Sequence, residues 1–211
     1  MSEKKKVMQY EGVPILIGIQ PDHHKSYLTN FENRYEGKFF EKLHCVADDV
    51  MDDKLIKNYI FLCGTPGNGK THFLAGLFRA KVAKDLGVIG TDHSLYIQFP
   101  SLIIEIMEGF KDTHSTRLGL IHYLSIKYLF IDDISKGERV LEPNKIESQV
   151  FREILLDRFE NKKFLIATSN YSSTELKRMV RSVFGEYVSS RIESSGIYID
   201  FPRKDFRKED K

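Results

Sequence analysis

The stretch Gly64-Thr65-Pro66-Gly67-Asn68-Gly69-Lys70-Thr71 constrains this chain more than any other. It has the form G-x-x-x-x-G-K-T. Glycines at these places let the backbone turn sharply and come close to a ligand, while successive amide N–H groups converge on an anion. The motif gains its meaning from its setting. Before it, Tyr59-Ile60-Phe61-Leu62-Cys63 is a short apolar run rich in aromatic and branched residues, which predicts a buried strand. After it, Phe73, Leu74, Leu77, Phe78 and Val82 recur at helical spacing. Strand, glycine loop and helix in that order aim amide groups and a helix N-terminus at phosphate oxygens. Lys70 can then reach the β- and γ-phosphates of a nucleoside triphosphate, and the Thr71 hydroxyl can ligate Mg²⁺.

A second motif follows about 60 residues after Lys70. Tyr128-Leu129-Phe130-Ile131 predicts a buried strand that runs into Asp132-Asp133. A carboxylate at the end of such a strand lies beside the phosphate loop. Asp132 can hold Mg²⁺, directly or through water, and Asp133 can orient or deprotonate an attacking water. A further strand, Lys163-Phe164-Leu165-Ile166-Ala167-Thr168, ends in Ser169-Asn170, which brings a polar amide to the same edge.

The remaining elements alternate. Ser94–Phe99 reads as a strand ended by Pro100, followed by a helix with Leu102, Ile103, Ile106, Met107 and Phe110 on one face. Residues 111–120 read as a polar loop with Lys111 and Arg117, and residues 135–145 as another. Ile146, Val150, Ile154 and Leu155 mark a helix. Ser172 with Glu175 three residues on is a capping box that starts the next, and Gly185 breaks it. Gly196–Asp200 is a fifth strand. Strands alternating with helices, with polar residues at strand ends, predict an α/β fold with a parallel sheet covered on both faces.

Composition narrows the setting. The 211 residues fit one domain, with residues 1–25 as a short N-terminal segment and 26–211 as the body. A net charge of +2 neither demands nor excludes nucleic acid. Lys111, Arg117, Arg178 and Arg181 are candidate phosphate contacts, though each taken singly reads first as a solvated charge. Two cysteines without a pairing pattern favour a reducing compartment, and Cys63 reads as a small buried residue. No apolar run is long enough for a membrane span, so a cytoplasmic location without a membrane partner is expected. His23 and His24 lack metal-ligand spacing. Asp48, Asp49, Asp52 and Asp53 lack the glycine and closing glutamate of a Ca²⁺ loop and read as a solvated helix end.

Taken together, Gly64–Thr71, Leu129–Asp133, Ala167-Thr168-Ser169-Asn170, Ser190-Arg191-Ile192 and Lys204-Asp205-Phe206-Arg207 resemble the AAA+ ATPases. Within them they are most similar to the DnaC/DnaI helicase loaders and the IstB-type transposition helpers. The resemblance covers residues from about 26 to 208. It implies a five-stranded sheet in the order 5-1-4-3-2, no separate helical lid domain, and ATP with Mg²⁺ as ligands. It makes Gly64, Thr65, Pro66, Gly67, Asn68, Gly69, Lys70, Thr71 and His72 the nucleotide-binding run, with Thr71 and Asp132 on the metal. Asn170 resembles the sensor-1 residue, Arg191 the arginine finger acting in trans on a neighbour, and Arg207 a sensor-2-like arginine. With Lys70 and Asp133 these make the expected catalytic set. The implied partners are a replicative helicase, DNA (single-stranded above all) and further copies of the chain. Two departures stand out. The second acid is Asp133 where most AAA+ proteins have glutamate, and only about 25 residues precede the matching region, where DnaC and DnaI carry a helicase-binding domain. Alternatives in the same sequence are a transposition helper and a regulatory module that holds ATP as an assembly ligand.

Overall fold

Five strands are expected from the apolar runs, and five form in the computed structural model, which describes residues 19, 21–31, 35, 37–85, 93–109, 116–137, 142 and 145–206. In chain order the helices and strands are α1 (Leu28–Phe31), α2 (Gly37–Met51), β1 (Tyr59–Cys63), α3 (Lys70–Asp85), β2 (Ser94–Gln98), α4 (Phe99–Gly109), α5 (Thr116–Ser125), β3 (Tyr128–Asp132), α6 (Ile146–Glu160), β4 (Phe164–Ser169), α7 (Ser173–Ser194) and β5 (Gly196–Asp200). Single 3₁₀ turns form at Pro21–His23 and Ile134–Gly137. The sheet runs β2-β3-β4-β1-β5, which is the expected order read from the other edge, and every pairing is parallel.

Every residue of β1, β3 and β4 is buried, because helices cover both faces. The two-residue period of a strand divides the core. Ile60, Leu62, Phe130 and Ile166 face one side and pack with α1, α2 and α3. Tyr59, Phe61, Leu129, Ile131, Leu165 and Ala167 face the other and pack with α4, α6 and α7. The helix after the phosphate loop is more enclosed than its apolar spacing suggests: Lys81 and Arg79 are buried together with Leu74, Leu77 and Phe78. Residues 21–28 cover its outer side. Gly76 permits this, since a Cβ there would lie 2.9 Å from the backbone of Leu28 and Tyr27. Residues 21–25 therefore pack on the body: Arg79 donates to the His24 carbonyl at 2.7 Å, and the His24 ring contacts the Ile19 carbonyl.

Two readings of the chain are corrected. Residues 116–120 are the first half of helix α5 and not a loop; residues 111–115 lie outside the described residues. The acidic cluster is not simply solvated. Asp53 accepts from Lys81 at 3.0 Å, Lys127 at 3.0 Å and the Tyr128 hydroxyl at 2.6 Å. Asp52 pairs with Lys84 at 2.9 Å and Lys54 at 3.0 Å. Aspartates at a helix end are usually solvent-facing. Here they are opposed by lysines of α3, whose Lys81 side chain is fully buried and needs a counter-charge.

Arg158 solves a different problem. Helix α5 ends against the buried side of α6 and leaves carbonyls without intrahelical donors. The Arg158 guanidinium, itself fully buried, donates to the carbonyls of Tyr123 and Ile126. Burial lowers its pKa to about 10, so it stays charged at neutral pH.

Two predictions follow from these contacts. Arg158→Met should cost about 2–4 kcal/mol in chemical denaturation, because two buried acceptors lose a charged donor. Hydrogen bonds from Lys84 and then Lys54 hold Asp52 at about 2, below the ordinary 3.8. Burial opposes the charge of Asp53, but Tyr128, Lys127 and Lys81 outweigh it and hold that carboxyl well below its usual range. A lowered folded pKa gives stability that is full above 3.8 and lost as the pH falls through it towards 2. Thermal melts between pH 5 and about 2 should therefore decline less steeply in the double variant Asp52→Asn, Asp53→Asn.

Candidate functional site

The C-terminal end of β1 delivers the chain into the glycine loop. Gly64, Gly67 and Gly69 take φ values of 126°, 85° and 85°, which side chains with a Cβ rarely adopt. Gly64 also lacks room: a Cβ would stand 3.0 Å from Asn68 Nδ2 and 3.1 Å from the Phe201 carbonyl. The back of the loop is held by groups from both ends of the chain. The Tyr35 hydroxyl donates to the Asn68 carbonyl at 2.6 Å, and the Phe206 amide donates to the Gly67 carbonyl at 3.0 Å. Tyr35 meets Phe206 edge-on at 5.4 Å, with Phe31 at 5.7 Å. The signal of this support in the sequence is the recurrence of Phe and Tyr before the first strand and after the last, at Phe31, Tyr35, Phe201 and Phe206.

Within the loop, Lys70 Nζ donates to the carbonyls of Gly64 and Thr65 at 2.7 and 2.8 Å and to Asn68 Oδ1 at 2.9 Å. These are neutral oxygens that hold an ammonium where phosphate oxygens could replace them. Asn68 is fully buried, and its Nδ2 has no hydrogen-bond partner among the described residues. A buried donor without an acceptor costs free energy, which an anion in the loop would relieve. The donor set thus fits a polyphosphate.

The second motif meets the first at Asp132, which is 5% exposed. Its Oδ1 accepts from Thr71 Oγ1 at 2.9 Å and from Thr168 Oγ1 at 2.6 Å. Burial, together with a bond to the Asp132 carboxylate, pushes the Tyr96 hydroxyl pKa far up. A hydroxyl and a carboxylate at hydrogen-bond distance beside a phosphate loop are the hard oxygen donors that Mg²⁺ takes, along with phosphate oxygens. Asp133 follows in a left-handed conformation, φ 57°. Its Oδ1 accepts from Asn170 Nδ2 at 3.1 Å and from the Ser135 hydroxyl. Its amide donates to Thr168 Oγ1 at 2.7 Å. Lys70, Thr71, Asp132, Asp133 and Asn170 are therefore brought to one edge of the sheet. Ser135 and Tyr96 join them without having been singled out, and Thr168 joins them from within the Thr-Ser-Asn run, where no role was attached to it. Thr168 lay inside the expected strand, and nothing in its spacing separated it from the core.

Two expected site residues lie elsewhere. The His72 ring contacts Asn30 Oδ1 at 2.5 Å and the Tyr27 carbonyl at 3.2 Å, which ties α3 to α1. Arg191 lies near the far end of α7. It donates to the Tyr187 carbonyl at 3.1 Å and stacks on that ring at 3.4 Å. The helix ends where the Ser195 carbonyl accepts from Tyr59, the first residue of β1. The length of β1, about 13 Å at ~3.3 Å per residue, separates that end from the phosphate loop of the same chain. Arg207 lies outside the described residues, next to Phe206. Of the candidate phosphate contacts, Arg181 is paired with Glu186 at 3.0 Å and Glu193 at 3.7 Å.

No protein-family model and no curated protein matches the sequence. Solved structures do match the fold. The DnaC helicase loader superposes with a TM-score of 0.65 at 19% identity, over 87% of this chain and 100% of that one. DnaI gives 0.63 at 20% identity, over 90% and 96%. AMPPCP-bound DnaA from Aquifex aeolicus gives 0.66 at 21% identity, over 91% of this chain and 55% of that one, so the chain spans about half of the DnaA structure. The chain has the AAA+ fold of the DnaC and DnaI kind, with the phosphate loop at its expected strand end.

The loop geometry yields a prediction. Gly69→Ala must place a Cβ 3.1 Å from the Phe31 ring at a φ of +85°. It should lower stability by about 1–2 kcal/mol in thermal melts. It should also weaken binding of a fluorescent ATP analogue about tenfold or more, since loop amides that shift lose aim.

Proposed function

We propose that the chain is an ATPase of DNA replication that loads or remodels a replicative helicase on DNA, and that it works as an ATP-dependent oligomer. One observation carries this reading: Thr71, Asp132, Asp133 and Asn170 converge beside Lys70 on a fold that spans the whole of the DnaC helicase loader structure. A structure of DnaA bound to AMPPCP and single-stranded DNA has the same fold, which supports ATP and DNA as ligands of such a scaffold.

The residues suggest a division of labour. The loop from Gly64 to Thr71 holds the phosphates, and Lys70 exchanges its carbonyl partners for their oxygens. Thr71 and Asp132 would hold Mg²⁺, which when bound draws charge from the phosphates. Asp133 and Asn170, already joined, orient the water that attacks the γ-phosphate, and Asp133 takes its proton. His72 acts from behind by fixing the start of α3 to α1. Arg191 lies a strand's length from its own loop and suits a neighbouring subunit's ATP, where a guanidinium stabilises charge in the transition state. Arg207 follows Phe206, whose amide bonds Gly67, and its likeness to a sensor-2 arginine is what supports a role for it on the phosphates. With an active site divided between subunits, hydrolysis depends on assembly.

Native mass spectrometry of the protein with the replicative helicase of its own source tests this directly. A complex of defined stoichiometry that requires ATP and Mg²⁺, and is lost in Lys70→Ala, is the expected result. Failure to bind helicase in any nucleotide state overturns helicase loading, and ATP-driven assembly on DNA alone would then favour the transposition helper. Arg191→Ala should retain nucleotide binding and lose hydrolysis about 10³-fold. Mixing it with Lys70→Ala should restore part of the activity, because each variant supplies what the other lacks at a shared site.

A further inference from the structure

We infer that Ser135 is a positioning residue for ATP hydrolysis, one that sets the Asp133 carboxylate through the tip of the neighbouring strand. The inference rests on the ATPase reading above and adds to it a residue outside the recognised motifs.

The argument starts from the backbone. Asp133 is left-handed at φ 57°, a conformation that costs an ordinary L-residue about 1–2 kcal/mol and that aspartate tolerates better than most. The chain then enters the 3₁₀ turn Ile134–Gly137, so Ser135 is carried back towards the acid. Its hydroxyl donates to Asp133 Oδ1. The same hydroxyl accepts from the Asn170 amide at 3.2 Å, across 35 residues of sequence. Asn170 Nδ2 donates to the same Oδ1 at 3.1 Å.

These three bonds close a ring of Asp133, Ser135 and Asn170. The ring joins the residue after β3 to the residue after β4, two strands already paired through Ile131 and Ala167. Thr168 adds a tie from beneath, accepting from the Asp133 amide at 2.7 Å. A carboxylate on a single methylene cannot search for the water on its own, so its place is decided by what holds it. A serine that served only its own turn would not also bind the backbone just past β4. Without the hydroxyl, Asp133 keeps the Asn170 side-chain bond but loses the link that fixes the two to each other. The acid can then swing, and a misplacement of about 1 Å at a reacting group can cost about 10²-fold in rate.

Steady-state hydrolysis, titration with a fluorescent ATP analogue and thermal melting of the full chain test the role. Ser135→Ala should lower kcat about 10- to 100-fold, with KM, analogue affinity and melting temperature close to wild type. Ser135→Thr, which keeps the hydroxyl, should recover most of the loss. Unchanged kcat in Ser135→Ala overturns the inference. So does an equal loss in both variants, or a loss that follows analogue affinity or melting temperature. A wild type that binds the analogue but never hydrolyses ATP overturns the hydrolytic reading and this inference together. A hydrolysing wild type with an indifferent Ser135→Ala overturns this inference alone.

Discussion

One carboxylate oxygen, Asp132 Oδ1, joins the parts of this molecule that chemistry needs together. It accepts from Thr71 at the head of α3 and from Thr168 near the end of β4, while its own residue closes β3. A nearly buried charge persists only if its neighbours satisfy it. Two hydroxyls from two different elements do so here, and their positions are thereby referred to a common point. The spacing between the phosphate loop and the central strands is thus set by hydrogen bonds as well as by apolar packing.

The loop is also supported from outside the sheet. Tyr35 precedes β1, and Phe206 follows β5, yet both bond loop carbonyls. Their rings share an aromatic group with Phe31 and Phe201. A glycine-rich loop loses much conformational entropy on ordering, and these contacts offset it from the side opposite the amide groups. Regions more than 160 residues apart in sequence therefore bear on one turn of backbone.

The features legible in the sequence were those written in short-range patterns. Five apolar runs, the G-x-x-x-x-G-K-T spacing and the capping box at Ser172 each depend on neighbours within a few residues, and each appears where expected. The features missed depend on partners far away. Asp53 looked like a solvated acid until Lys81, Lys127 and Tyr128 were brought to it by three other elements. Residues 116–120 looked like loop because they continue the polar run from Lys111 and include Gly119, yet they open a helix whose end is capped by Arg158 from α6. Ser135 carries no local signature at all, and Thr168 stands in the Thr-Ser-Asn run with no role of its own attached. Their importance arises only when β3 and β4 lie side by side.

The break in α7 gives the molecule a joint. At Gly185, φ is 78° and ψ 176°, so the helical phase set by the first half is not passed to the second. The first half is anchored at its start, where Ser173 bonds Asp200 beside the nucleotide edge of the sheet. The second half carries Tyr187 and Arg191 to the opposite edge. In a continuous helix the azimuth of Arg191 would follow from that of Ser173. With the phase reset, the bearing of the arginine is an independent variable, settled by Val188 and Ile192 in the core beneath it. The Arg191 edge of the molecule can therefore be re-aimed by changes to that short segment while the phosphate-loop edge keeps its alignment.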